Sequence, residues 1–478
     1  MSNLLASLHA SAGTLEAYGR VLETAQNNVS NASTAGYAKQ RLSLEALAFD
    51  PASGASGGVR AGRLETSRNE YAETAVRDQA AAAGYQDQMV NGLSEIEARL
   101  DISGNSGIPL ALNHLFESFS SWATTPGSTA VRQAVIQRAT QLADAFQQSY
   151  KVLAGKATTA DQEIRHAVDQ INQKVSEIQN YNHIALQGNK DDGGLSAHMH
   201  AALEELSQYI NFDASFQSDG SVSITVNGQT PLLLGDKQYL LSAGLGQNAA
   251  ATYPSSPADA VIRGSDGADI TAETTGGQLG ALLTLRNQTL SSLIGNGNQP
   301  GELNLLAKQI ATRVNELLTD GQISAGDNPV AGVPLFTFDA GNDAAVAQTL
   351  AVDSTVTPDQ LAGIDPGPPA VSNGVPLALA QLADPVAAAD QIDGLSYSQY
   401  YGQMAGRVGS DLAEARNNQQ VQQSILTQSK ALRDQFSGVN LNEEAAILIQ
   451  FQRAYQATSR FITILDDLTE TAINIIRQ

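Results

Sequence analysis

Leu441-Asn442-Glu443-Glu444-Ala445-Ala446-Ile447-Leu448-Ile449-Gln450-Phe451 opens the C-terminal stretch of the chain, and the residues from Leu448 onward set its period. Apolar or small residues recur at alternating steps of three and four: Leu448, Phe451, Tyr455, Thr458, Ile462, Leu465, Thr469, Ala472 and Ile476. That spacing keeps one stripe of a helix turned toward one partner, as in a coiled-coil seam. The other end answers with Leu4, Leu8, Ser11, Leu15, Tyr18, Leu22, Ala25 and Val29. Matching seams at both ends predict that the termini meet in one helical bundle. Asn440 is placed to cap the C-terminal helix, with Glu443 three residues on to complete a capping box.

A seam alone does not hold a lone helix. Each buried Leu or Ile contributes about 1.5–3 kcal/mol, against roughly 1–2 kcal/mol of backbone ordering for every residue fixed. Either the two ends pair within one chain or they wait for neighbouring subunits, and the spacing is compatible with both.

Composition narrows the class. The 478 residues suffice for two or three domains at ~100–200 residues each. With 42% hydrophobic and 16% charged residues, a sizeable core is within reach. A formal charge of −22 without any basic run argues against nucleic acid or an anionic membrane as partner. The absence of cysteine rules out disulfides, thiolate metal sites and cysteine nucleophiles. Arg20 is the first basic residue and polar residues interrupt the opening apolar stretch, so no secretory signal is read there. No segment approaches the roughly 18 apolar residues of a membrane span. The expectation is a soluble protein without membrane insertion, exported, if at all, without a cleaved signal peptide.

Between the seams the chain changes character twice. A helix over 3–31 ends in Asn27-Asn28-Val29-Ser30-Asn31, residues that compete for their own backbone, and Gly36 breaks the chain just beyond. Alternation over 40–49 and 59–66 predicts a β-hairpin with a turn at Pro51–Gly58. Helices are predicted at 69–100, 109–124, 129–153 and 160–187, the last two split at Gly155, with Ile164, Val168, Ile171, Val175, Ile178 and Ile184 on one face. Near Gly188–Gly194 the pattern turns mixed. A helix at 196–211 is followed by strands at 221–226 and 232–234 about an Asn227-Gly228 turn, then by helices at 276–293 and 302–319. Residues 321–393 are rich in Pro, Gly, Ala and Asp, with a short strand at 335–338. A helix over 395–434 leads to the break at Ser437-Gly438. The fold class expected is mainly α with an inserted α+β domain: an elongated helical bundle formed by the N- and C-terminal segments (1–188 and 395–478), coiled-coil-like terminal helices, and a mixed outer domain over 190–393.

Searches for chemistry end in structural readings. Gly54-Ala55-Ser56-Gly57-Gly58 matches the nucleophile-elbow pattern but lies between two strands, where the motif needs a strand and a helix. His198 and His200 sit two apart on a predicted helix, so their rings point to different faces. Asp266 and Asp269 lack calcium-loop spacing. No phosphate-cradling or dinucleotide-binding loop is present. The chain is read as having no catalytic, cofactor or metal residues.

The termini carry a resemblance. Asn27-Asn28-Val29-Ser30-Asn31-Ala32-Ser33-Thr34-Ala35-Gly36-Tyr37 resembles the N-terminal signature of the flagellar rod, hook and hook-associated axial protein family. Gly438-Val439-Asn440-Leu441-Asn442-Glu443-Glu444-Ala445-Ala446 with Phe451-Gln452-Arg453-Ala454-Tyr455-Gln456-Ala457 resembles its C-terminal signature. Three stretches, Pro126 to Val135, Gly276 to Leu283 with Arg286, and Tyr400 to Gly409, resemble the hook-associated branch more than hook and rod proteins. The sequence departs from the pattern at Ala35, where proline is usual, and at Ser196-Ala197-His198-Met199-His200, where an Asp-x-Arg-Asp pattern is usual.

The resemblance implies a non-enzymatic structural component of the bacterial flagellum, an adaptor at the hook–filament junction, extracellular and exported by the flagellar type III route. Its partners would be further copies of itself in a ring, the hook protein, the next hook-associated junction protein, and an export chaperone at the C-terminal helix. Assembly contacts are expected at Leu8, Leu15, Tyr18, Leu22, Asn27, Asn28, Val29, Asn31, Gly36, Tyr37, Asn440, Leu441, Glu443, Leu448, Phe451, Tyr455, Ile462 and Leu465, with the three asparagines finding partners across subunits. The rival readings are another axial subunit of hook, rod or filament, a secreted enzyme carried on flagellar termini, and an intracellular coiled-coil scaffold.

Overall fold

The computed structural model describes residues 2–50, 55–100, 104–190, 192–247, 251–254, 256–325 and 328–477. Pro51, Gly54 and Asp191, which entered the turn, elbow and boundary readings, lie outside the described residues, as does the side chain of Ile476. In chain order the elements begin with α1 (Ser2–Ser30), β1 (Gln40–Ala46), β2 (Phe49–Asp50), β3 (Ala55–Ser56) and β4 (Val59–Thr66). Next come α2 (Glu70–Glu97), α3 (Gly107–Thr124), α4 (Thr129–Ile184) and α5 (Gly193–Tyr209). After these lie β5 (Asp213–Phe216), β6 (Val222–Val226), β7 (Thr230–Leu234), β8 (Lys237–Gln238), β9 (Ser242–Leu245) and β10 (Ala260–Arg263). The remainder is α6 (Gly277–Thr284), α7 (Ser291–Ile294), α8 (Glu302–Asp320), β11 (Phe336–Thr337), α9 (Val346–Thr349), β12 (Ala351–Val352), α10 (Gly374–Gln381), α11 (Tyr397–Ser437) and α12 (Leu441–Arg477). The mainly helical fold with small sheets and long terminal helices is as the periodicity predicts.

The chain divides into two compact units. A terminal unit comprises Met1–Ala83, Ile171–Tyr239 and Gln422–Gln478, and a central unit comprises Gly84–Gln170 and Leu240–Val421. These boundaries differ from the 188/190 and 393/395 divisions expected from composition, because α2, α4 and α11 each contribute residues to both units. Composition marks where helical periodicity stops, whereas compact units are set by which side chains share a core.

The central unit holds one contiguous core. Leu112, Leu115, Phe119 and Trp122 of α3 pack with Leu142 and Phe146 of α4, Leu306 and Ile310 of α8, and Tyr397 of α11. The helices predicted over 276–319 belong to this core. The predicted split at Gly155 does not occur: α4 runs unbroken for 56 residues. Glycine costs a helix interior about 1 kcal/mol relative to alanine, and the buried Leu153 and Ala157 on either side outweigh that. The helix instead ends in a π-helical turn at 185–189, where Gly188 takes φ +100°.

Three of the stretches quoted for the resemblance pack on or beside this core. Arg132 donates through Nε and Nη2 to the Pro126 carbonyl at 3.1 and 2.8 Å, with its guanidinium 5.9 Å from the Trp122 ring centroid. Arg286 is buried, paired with Asp161 at 2.8 Å, and donates to the Ala258 carbonyl. Arg407 makes a two-pronged pair with Glu302 at 2.7 and 2.6 Å.

The terminal unit is built on thinner packing. The antiparallel pair β1–β4 lies against α1, and β5-β6-β7-β8 forms a four-stranded meander. Asn227 and Gly228 both take positive φ, 50° and 67°, as a type I′ turn requires. Asn182 of α4, fully buried, donates to the Val222 and Gly235 carbonyls at 2.8 and 2.7 Å and accepts from the Val222 amide. One amide thus ties helix to sheet.

Phe119→Ala removes a fully buried ring and is expected to cost about 3–5 kcal/mol. Urea unfolding followed by the fluorescence of Trp122 should show a lower midpoint at unchanged slope.

Candidate assembly interface

The asparagine-rich end of α1 meets the start of α12 at a buried polar centre. Asn28 is 1% exposed, and its side chain makes four hydrogen bonds. Nδ2 donates to the Gln40 carbonyl at 2.8 Å and to Glu444 Oε2 at 3.1 Å. Oδ1 accepts from the Tyr37 hydroxyl and from the Gln40 amide, both at 3.0 Å. Two donors and two lone pairs are the full capacity of a carboxamide. The expectation that Asn28 waits for a neighbouring subunit is therefore corrected: its partners lie in its own chain. Asn27 and Asn31 bond each other, Asn31 Nδ2 donating to Asn27 Oδ1 at 2.8 Å on the exposed side.

Glu444, fully buried, receives Lys39 as well, with Nζ 3.3 Å from Oε1. The same ammonium lies 2.9 Å from Glu443. Burial alone lowers the Lys39 pKa, but the two carboxylates outweigh it and the net shift is upward. Burial, and then the charge on Glu444, pushes the Tyr37 hydroxyl up, so it stays protonated as the donor to Asn28. Because Glu443 turns to Lys39, the capping box is replaced by a simpler cap: Asn440 Oδ1 accepts from the amides of Asn442 and Glu443 at 3.0 and 3.4 Å.

The turn that carries Tyr37 demands glycine. Gly36 takes φ +71°, and a Cβ there would lie 2.4 Å from the Ala197 carbonyl oxygen on α5. The Tyr37 amide closes the turn on the Thr34 carbonyl at 3.1 Å. Ala35 occupies the position where proline would preset φ, so the turn is held by Gly36 and Tyr37 instead. A cleft of about 730 Å³ opens beside this turn, bordered by Thr34, Lys39, Arg433, Phe436 and Asn440.

The two terminal seams meet within one chain. Tyr18 packs edge-on against Phe451 with ring centroids 5.5 Å apart, and Tyr455 lies across Gly19. On α12 the least exposed residues are Glu444, Ile447, Leu448, Phe451, Ala454, Thr458, Ile462, Leu465, Thr469 and Ala472, which follow the predicted stripe apart from the exposed Tyr455. On α1 the deepest line is instead Thr14, Ala17, Val21, Ala25 and Asn28. Leu8, Leu15, Tyr18 and Leu22 are half-buried and Val29 is exposed. The reason is that α1 has two neighbours. The Val59 amide donates to Thr14 Oγ1 at 3.1 Å, bringing the hairpin against one flank while α12 covers the other. Burial is greatest between them.

Sequence reasoning missed two features. Glu444 stands four residues before Leu448 and so continues the seam, a spacing that marks it as a buried acid. The second is an apolar stripe left in solvent on α12: Phe461, Ile464 and Leu468, each about half exposed. Leu441 is exposed as well. The two histidines part company as predicted. His198 stacks on Tyr181 and His200 on Phe216. Asp266 and Asp269 cap local turns, accepting from the amides of Ala268 and Thr271.

Asn28→Ala would take one partner from Glu444, the acceptor from the Tyr37 hydroxyl and the side-chain partner from both backbone groups of Gln40. The expected loss is about 2–4 kcal/mol in the terminal unit. Asn27→Ala, on the exposed side, should change stability by less than about 0.5 kcal/mol. Thermal unfolding of the two variants by circular dichroism checks the contrast.

Residues 93–336, just over half of the chain, match the family model described as the flagellar hook-associated protein FlgK helical domain. Residues 429–475 match the flagellar basal body rod FlgEFG protein C-terminal model. Flagellar hook-associated protein 1 of Bacillus subtilis (strain 168) is 25% identical over 506 residues, covering 99% of both chains. The protein of that name from Escherichia coli (strain K12) is 23% identical, over 96% of this chain and 98% of its own. The flagellar hook junction protein FlgK from Burkholderia pseudomallei has the same fold, with a TM-score of 0.63 at 13% identity, over 76% of this chain and 99% of its own. With both terminal signatures folded into one polar centre and a helical-domain match spanning half its length, the chain belongs to the flagellar hook-associated protein family.

Proposed function

We propose that this protein is the structural adaptor of the hook–filament junction, assembled as a ring through its terminal helices. It is a structural component of the flagellum and not an enzyme. The observation that carries the assembly reading is the Phe461, Ile464 and Leu468 stripe on α12. The helix has already satisfied one seam against α1, and a second apolar stripe beside it is a surface for another helix. Leu15, Tyr18, Leu22, Leu448, Phe451, Ile462 and Leu465 then act indirectly, by holding the α1–α12 pair that presents the stripe.

The partners in this reading are further copies of the chain, the hook protein on one side and the next hook-associated junction protein on the other. An export chaperone would cover α12 before assembly, since the same stripe is exposed in the free chain. Among the described residues no helix is long and apolar enough to cross a membrane.

Immunogold electron microscopy of intact flagella, with antibody against residues 190–393, tests the location. A single label just beyond the hook is expected; label along the hook or filament would make this a bulk subunit. Ile464→Asp tests the surface. Ile464 is about half exposed, so the free protein should keep its stability to within about 0.5 kcal/mol. Its incorporation at the junction should nevertheless be lost, and normal filaments from this variant would refute the assignment.

A further inference from the structure

The terminal unit contains a second buried polar cluster that the assembly reading does not use. It is centred on His200 of α5. The imidazole is buried, stacked on Phe216 of β5 with ring centroids 4.8 Å apart and planes 10° apart. Its Nε2 lies 3.9 Å from Glu70 Oε1 on α2, beyond hydrogen-bond range. Its Nδ1 has no partner among the described residues.

Charges crowd around it from four segments. The β4–α2 linker brings Arg68, α2 brings Glu70, Glu73, Arg77 and Asp78, α5 itself brings Glu204, and α11 brings Lys430, Arg433 and Asp434; β5 places the Phe216 ring on the imidazole and Asp213 toward Asp78. Arg68 pairs with Glu73 and donates to the Gly36 carbonyl at 2.7 Å. Arg433 pairs with Glu204 at 2.6 Å, and Lys430 reaches the other oxygen of Glu204 at 2.8 Å. The cluster thus joins the hairpin exit, α2, α5 and α11. With Asp434 3.2 Å from Arg433 Nε and Asp78 beside Arg77, its four cations face five carboxylates, yet Arg68 Nε and Arg77 Nη1 are buried without partners among the described residues.

We propose that this cluster is an acid-release latch, in which protonation of His200 adds an unpaired cation and loosens α5 from α2 and α11. An imidazolium donates through both nitrogens. Here Nδ1 meets no acceptor, and Glu70, nearest to Nε2, already faces Arg68 and Arg77. Burial, and then the charges of Arg68, Arg77 and Arg433, hold the ring's proton affinity well below the usual histidine range. The unfolded chain therefore takes up the proton first. The latch is at full strength above the unfolded value of about 6.5 and weakens as pH falls toward the folded value.

Hydrogen–deuterium exchange on the full chain, corrected for intrinsic rates, tests this between pH 7.5 and 5.0. Protection of residues 193–209 should fall by up to tenfold per pH unit below about 6.5. His200→Gln and His200→Phe should remove that dependence, while His183→Gln, at an exposed histidine, should leave it intact. The same acid profile in the His200 variants as in the wild type, or its loss in His183→Gln, overturns the proposal. If neither His200 variant folds, titration of the wild-type imidazole resonances decides. A folded-state value well below 6.5 supports the latch, and one at or above 6.5 refutes it.

Discussion

The side-chain amide of Asn28 joins four segments at one point. Through it the end of α1, the Gly36 turn, the first residue of β1 and the first turn of α12 share a single hydrogen-bonded centre. A buried polar residue on a helix seam gains little net stability over an apolar one, but it is satisfied in one register only. Sliding α12 by a turn along α1 would keep most apolar contacts of the seam and leave Glu444 buried without Asn28 or Lys39. The apolar stripe makes the two helices adhere, and the polar centre decides where.

The two units put their free energy in different places. The central unit is closed around large side chains such as Trp122, Phe119, Phe146 and Tyr397. Much of the buried lining of the terminal unit is alanine, with Asn28, Glu73, Arg77, Asn182, His200 and Glu444 among it, and large apolar residues of α12 remain in solvent. A unit that withholds its apolar stripes keeps hydrophobic free energy in reserve, to be released when further helices cover them. That division suits a subunit whose central part must be complete before assembly and whose ends complete themselves by assembling.

Polar satisfaction also separates the two clusters of the terminal unit. Around Asn28 every donor of the amide has an acceptor, which makes a rigid joint. Around His200 the imidazole Nδ1 and two guanidinium nitrogens are buried without partners among the described residues, whereas at the Asn28 centre the one such atom is Glu444 Oε1, which keeps the Lys39 ammonium 3.3 Å away. One centre fixes a register, while the other is the place of the proposed latch.

Much of this was legible in the linear sequence, because short-range physics dictates it. The seam of α12, the length of α1, the Asn227-Gly228 turn and the hairpin over 40–66 follow from period, propensity and residue chemistry. The continuity of α4 through Gly155 did not, since local cost was overruled by the core on either side. The buried line of α1 did not either, because it depends on a second neighbour, the hairpin, that periodicity along one helix cannot report. The partners of Asn28 lie 9, 12 and 416 residues away. Its residue type announced a need for hydrogen bonds, and only the folded chain decided that they would come from within, because desolvating an amide is tolerable only where tertiary structure delivers all of its partners at once.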